Sequence, residues 1–87
     1  MKVNNIVQTC YACPSQWEGN LEDGRMFYVR YRWGGLTIEL SNGPTDNISE
    51  LFNDGKLIHS ETLGDGFDGV LEEEVLFEIM KSIGFEF

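Results

Sequence analysis

Residues 25 to 40, RMFYVRYRWGGLTIEL, alternate between apolar and polar side chains on both sides of a Gly-Gly pair. Phe27, Val29, Tyr31 and Trp33 share one parity and Tyr28, Arg30 and Arg32 the other, the period of a strand with one buried face. Glycine accepts the positive φ of a two-residue hairpin turn, so Gly34-Gly35 predicts two antiparallel strands folded back on each other. In that register Trp33 pairs with Leu36, Tyr31 with Ile38 and Val29 with Leu40, while Arg30 lies across from Glu39 and Arg32 from Thr37. A slip of one residue would set charges against apolar groups on both faces. A hairpin with one greasy face is marginal in water, so the rest of the chain has to extend and cover it.

The preceding segment SQWEGNL, residues 15 to 21, extends it by the same test. Glu22-Asp23-Gly24 fits a three-residue loop with Gly24 left-handed, setting Trp17 opposite Val29, Gly19 opposite Phe27 and Gln16 opposite Arg30. Gly19 then leaves room for an aromatic ring. Residues 41 to 47, SNGPTDN, have the composition of a loop. After it, ISELFNDGKLIHSETL fits either a hairpin around Asp54-Gly55 or a helical turn over Ile48, Leu51 and Phe52 followed by a strand from Leu57 to Thr62, the second being preferred. The period then changes to 3.6. A helix is expected from about Asp68 to Ile83, with Asp68 as N-cap, Glu72, Glu73 and Glu74 near its positive end, Leu71, Val75, Leu76, Ile79 and Ile83 as its apolar stripe, and Gly84 as its stop. The expected fold is α+β in one domain, residues 1–87: an antiparallel meander of three to four strands over about residues 6–62, packed against one C-terminal helix over about 68–83.

The charge is lopsided. Residues 1 to 45 balance Lys2, Arg25, Arg30 and Arg32 against four carboxylates, so the net charge of -9 lies wholly in the second half, where only Lys56 and Lys81 oppose the acids. Such a field repels phosphate backbones and argues against direct nucleic-acid binding; it fits solubility or a basic protein partner. The apolar runs are too short to span a bilayer and the N-terminal residues lack the long apolar stretch of a signal peptide, so a cytoplasmic protein without membrane contact is expected.

Chemistry-bearing motifs are few. Cys10-Tyr-Ala-Cys13 has the spacing of half a zinc site or of a dithiol centre, but Pro14 and a strand follow where a redox motif wants a helix, and His59 is the sole histidine. Two chains sharing Cys10 and Cys13 would supply four thiolates; two reduced structural cysteines are the simpler expectation. GDGFDG, residues 64 to 69, fails as a calcium loop, because Gly64 and Gly66 stand where the first and third carboxylates belong, and it lacks the lysine of a phosphate loop. Glu72 to Glu74 are neighbours that a helix points in different directions, so they form no catalytic pair. Neither an enzyme nor a cofactor is expected.

Recognition remains, on two surfaces. Tyr28, Arg30, Arg32 and Arg25 on the outer sheet face could grip a carboxylate or phosphate, with Glu18 and Glu39 competing for the same guanidinium forks. The acidic half, with Glu72 and Glu73, could oppose a basic groove on a protein partner. CPSQWEG at 13 to 19, DGR at 23 to 25 and YVRYRWG at 28 to 34 resemble a recurring core of small uncharacterised proteins of bacteria and their phages, and GDGFDGVLEEEVL at 64 to 76 is similar to their tail segment. The resemblance spans well over half of the chain and implies a phage or mobile-element origin, where small acidic proteins often bind host proteins; that group has no established activity, so it implies no site residues. The expectation is a non-enzymatic interaction protein engaging a basic protein surface, with an anionic-ligand or metal-binding module on the arginine face or the Cys10/Cys13 pair as the alternative, and with a homodimer open through an unpaired edge strand.

Overall fold

The structure is a computed structural model that describes residues 1–11, 14–63 and 70–87. Among these, five strands and two helices follow in the order β1 (Val3–Cys10), β2 (Ser15–Leu21), β3 (Arg25–Arg32), β4 (Gly35–Pro44), α1 (Ile48–Asp54), β5 (Lys56–Thr62) and α2 (Glu73–Ser82). The strands form one antiparallel sheet in chain order. The α+β class holds, with more strands than the three to four expected and two helices instead of one.

The central hairpins show why the class was readable. Trp17 pairs with Val29, Gln16 with Arg30 and Gly19 with Phe27, as the three-residue loop requires, and Gly24 at its end has φ 93°. Trp17, Phe27, Val29, Tyr31, Leu36, Ile38 and Leu40 are buried on one face. Each such side chain contributes roughly 1.5–3 kcal/mol when removed from water.

The register of β3 with β4 differs from expectation by two residues. Tyr31 pairs with Leu36, Val29 with Ile38, Arg30 with Thr37 and Tyr28 with Glu39, so the turn is Trp33-Gly34 and not Gly34-Gly35. Both turn residues have positive φ, 55° at Trp33 and 76° at Gly34. A two-residue shift keeps every side chain on its own face, so the alternating pattern is satisfied equally by either register. The consequence for Trp33 is large: instead of packing on Leu36 it is 62% exposed.

The strand missed in the sequence, β1, is an irregular one, and so is the part of β4 that was expected to be loop. β1 has register shifts between Val3 and Asn5 and between Gln8 and Cys10; these bring Val3 opposite Leu21 and Ile6 opposite Gly19, on the core face, although three residues separate them. β4 runs on through Pro44, where a loop was expected from residue 41. A shift between Arg25 and Phe27 lifts the Met26 N–H out of the ladder, and it donates to Ser41 Oγ at 2.8 Å, whose hydroxyl donates in turn to Gly43 O. The preferred alternative for residues 48–62 is the one observed: Asn47 caps α1 by accepting from the Ser49 N–H at 2.9 Å, and β5 follows.

The helices cover opposite faces. α2 lays Leu76 and Met80 on the core face, with Leu71 before it and Phe85 after it. α1 lies on the other face, where Leu51 is buried and Phe52 meets Tyr28 edge to face at 5.0 Å. α2 is shorter than predicted. It begins at Glu73 with Glu72 as N-cap, because Leu71 sinks into the core and its N–H donates to the buried Ser15 Oγ at 3.2 Å, which holds that residue outside the helix. Asp68, the expected cap, lies outside the described residues. Val75, expected in the apolar stripe, is 44% exposed; the later start leaves Met80 to fill the core instead. At the other end Gly84 has φ 112°, its N–H donates to Lys81 O and the Phe85 N–H to Met80 O, a Schellman closure that drops Phe85 onto Phe27 at 5.4 Å. Glu86 then bridges Lys2 in parallel beside β1. Among the described residues no helix is long and apolar enough to cross a membrane.

Candidate functional site

Of the residues singled out in the sequence, Glu72 and Glu73 fall on one surface and Arg30 and Arg32 on another, at the same end of the sheet and on opposite faces. On the helix-covered side, the end of β1 and the approach to α2 enclose a depression of about 390 Å³ lined by Gln8, Tyr11, Val70, Leu71, Glu72, Glu73 and Glu74. Glu72 is the cap of α2 and Glu73 and Glu74 its first two residues, and all three are among the residues that line this hollow. Glu73 accepts a hydrogen bond from Nε1 of the fully buried Trp17 at 3.2 Å, which anchors this carboxylate. Among the described residues the ion pairs are Arg25 with Asp23 and His59 with Glu61, so none of the three glutamates is neutralised. Tyr11, 71% exposed, and Val70, 46% exposed, stand beside them.

On the other side, Arg30, Arg32, Trp33, Gly35 and Thr37 line a depression of about 380 Å³. The observed register changes what surrounds the arginines. Arg30 lies between Gln16 and Thr37, and Glu18 and Glu39 flank Tyr28, one row of about 7 Å further along the face. Neither guanidinium therefore has a carboxylate within ion-pair distance among the described residues, contrary to the expected competition with Glu39. Arg30 Nε is shut off from solvent and has no acceptor among the described residues. The Arg32 guanidinium carbon lies 5.3 Å from the Trp33 ring centroid, within cation–π range.

Tyr28 and Arg25, expected with these arginines, are engaged elsewhere. Tyr28 packs against Phe52, and burial pushes its hydroxyl above the ordinary value; Arg30 opposes the rise, while Glu18, Glu39 and Cys10 add to it. Arg25 Nε holds Asp23 at 2.8 Å; the Arg25 backbone N–H, foremost, and its side chain keep that exposed carboxyl below its ordinary value.

Trp33 and Tyr11 were missed as surface aromatics. Gly34-Gly35 masked the turn position of the first, and nothing in the local pattern marks the second.

Cys10 is half-buried and faces the same side as Gln16, whereas His59 sits on β5 and faces the core side. Four strand spacings, about 19 Å, separate those edges, so one chain cannot bring the two to one metal. Cys13 and the 64–69 segment lie outside the described residues, and among the described ones no three His, Cys, Asp or Glu side chains converge as metal ligands. Comparison with protein-family models, curated proteins and solved structures finds no match, so the chemistry of these two surfaces is what indicates function.

Proposed function

We propose that this chain is a non-enzymatic interaction protein that engages a basic protein surface through its acidic C-terminal half, with the Glu72–Glu74 hollow receiving a lysine or arginine side chain of the partner. The observation that carries this is one depression lined by Glu72, Glu73 and Glu74, none of them ion-paired among the described residues, together with an exposed tyrosine and an exposed valine. Carboxylates supply charge, the Tyr11 ring a cation–π face, and Val70 and Leu71 an apolar floor for the methylene stem. The unbalanced negative field steers a basic partner toward this half and keeps nucleic acid away. A cytoplasmic setting and a phage or mobile-element origin belong to the same proposal.

Charge-matched variants test it with a lysine- and arginine-rich peptide as probe. Glu72→Gln with Glu74→Gln, which spares the anchored Glu73, is expected to weaken binding about tenfold, and Asp46→Asn with Glu50→Gln to weaken it far less. Added salt should weaken both. Equal losses in the two double variants would reduce the interaction to net charge and overturn the proposal.

A further inference from the structure

We infer a second, independent site: the hollow formed by Arg30, Arg32, Trp33, Gly35 and Thr37 binds a small oxyanion carried on a flat ring, the chemistry shared by aromatic carboxylates and nucleoside monophosphates. The two arginines are two residues apart on β3 and lie on the same face of the sheet, their backbone positions about 7 Å apart along the strand. In a chain of net charge -9 they are the cations on that face without a carboxylate among the described residues, and Arg30 is already partly stripped of water, with Nε buried and no acceptor among those residues. A guanidinium in that condition has lost hydration without gaining an anion. A carboxylate or phosphate would supply it through forked, charge-assisted hydrogen bonds, with the Thr37 hydroxyl alongside as a neutral donor.

Trp33 supplies the ring preference. It occupies the first turn position with φ 55°, a place that asparagine or glycine fills at lower cost, yet its indole is held on the surface beside Arg32 with most of its area open. A stacked pair of Trp33 and Arg32 at the rim of a cavity of about 380 Å³ is suited to a planar group whose charged end reaches Arg30. The whole-molecule charge opposes anions at long range, but at about 0.1 M salt the screening length is about 10 Å, so the local pair governs binding.

Titrations followed by backbone amide NMR shifts of residues 32–37 test the site on the full chain, with benzoate, adenosine monophosphate, adenosine and inorganic phosphate as probes. Saturable shifts with a Kd of about 1 mM are expected from at least one ring-bearing anion, with adenosine and inorganic phosphate at least about tenfold weaker. Benzoate alone or the nucleotide alone responding identifies the carrier and supports the site. Arg32→Gln, at an exposed position, should weaken the ring-bearing anion about tenfold with the melting temperature unchanged. Trp33→Asn should raise the melting temperature by a few degrees and reduce binding to the level of inorganic phosphate. The site is overturned by absence of saturation from both ring-bearing anions at about 10 mM, by undiminished affinity in Arg32→Gln, or by adenosine binding as tightly as its monophosphate. The glutamate variants on the other face should leave these titrations unaltered, so the two proposals fail separately.

Discussion

Gly19 sits beneath the ring of Phe27, and a Cβ added there would collide with that ring and with the backbone oxygen of Asn5 on β1. The ring can turn aside at some cost in packing; the backbone oxygen belongs to a paired strand and cannot. Gly19→Ala is therefore expected to destabilise the fold by about 3 kcal/mol, read as a drop in the urea midpoint with an unchanged slope. A loss under about 1 kcal/mol would mean that β1 yields easily. Room for the ring at this position was legible in the sequence, because the loop Glu22-Asp23-Gly24 sets Gly19 against Phe27. The severity was not, since Asn5 reaches Gly19 only through an irregular strand that the alternation does not reveal.

At the scale of elements, legibility followed periodicity. β2, β3 beyond its shift at Arg25–Phe27, and α2 announce themselves through periods of two and 3.6, whereas β1 contains register shifts that move apolar residues off the alternating positions, and a shift also interrupts β5, whose segment fitted two readings. The turn position between β3 and β4 was ambiguous for a different reason: Gly34-Gly35 and Trp33-Gly34 preserve the same faces, and the neighbouring strands decide. Gly34 O accepts from the Leu63 N–H at 2.5 Å, and the Tyr31 hydroxyl donates to Leu63 O at 3.2 Å, fixing the hairpin against the chain that leaves β5. The end of α2 depends on Gly84, whose φ of 112° a side chain resists, and on Phe85 being delivered to Phe27. Gly84→Ala should cost about 1–2 kcal/mol, and calorimetry should show the melting temperature falling by several degrees; an unchanged melting temperature would show that Phe85 docks without the left-handed turn.

For the whole molecule, the titration of Tyr28 ties the open sheet face to stability. Its folded-state hydroxyl is raised above the ordinary value of about 10, foremost by burial, so the folded protein holds the proton more tightly than the unfolded chain. The linkage sign follows: this contribution is fully present below about pH 10 and is lost as pH rises through the folded-state value. Thermal melts taken from pH 9 to pH 11.5, beginning below the ordinary tyrosine value of about 10 and ending above it, should fall more steeply for the native chain than for Tyr28→Phe, which lacks the ionisable group. Parallel curves would remove Tyr28 from the alkaline limb. The separation of charge also belongs to this scale: the acid excess was countable in the sequence, but the gathering of Glu72, Glu73 and Glu74 around one hollow depends on where α2 starts.

The amino-acid sequence by itself determined the buried face of the central strands, the three-residue loop at Glu22-Asp23-Gly24 and the charge of each half, because these depend on local period, turn chemistry and simple counting, and it favoured without deciding the helix-then-strand order of residues 48–62. Tertiary structure alone decided the pairing row of Arg30, the exposure of Trp33 and the first residue of α2. Each of those is set by a contact between segments distant in the chain, Leu63 with Gly34 and Leu71 with Ser15 among them, and local patterning is indifferent to such contacts.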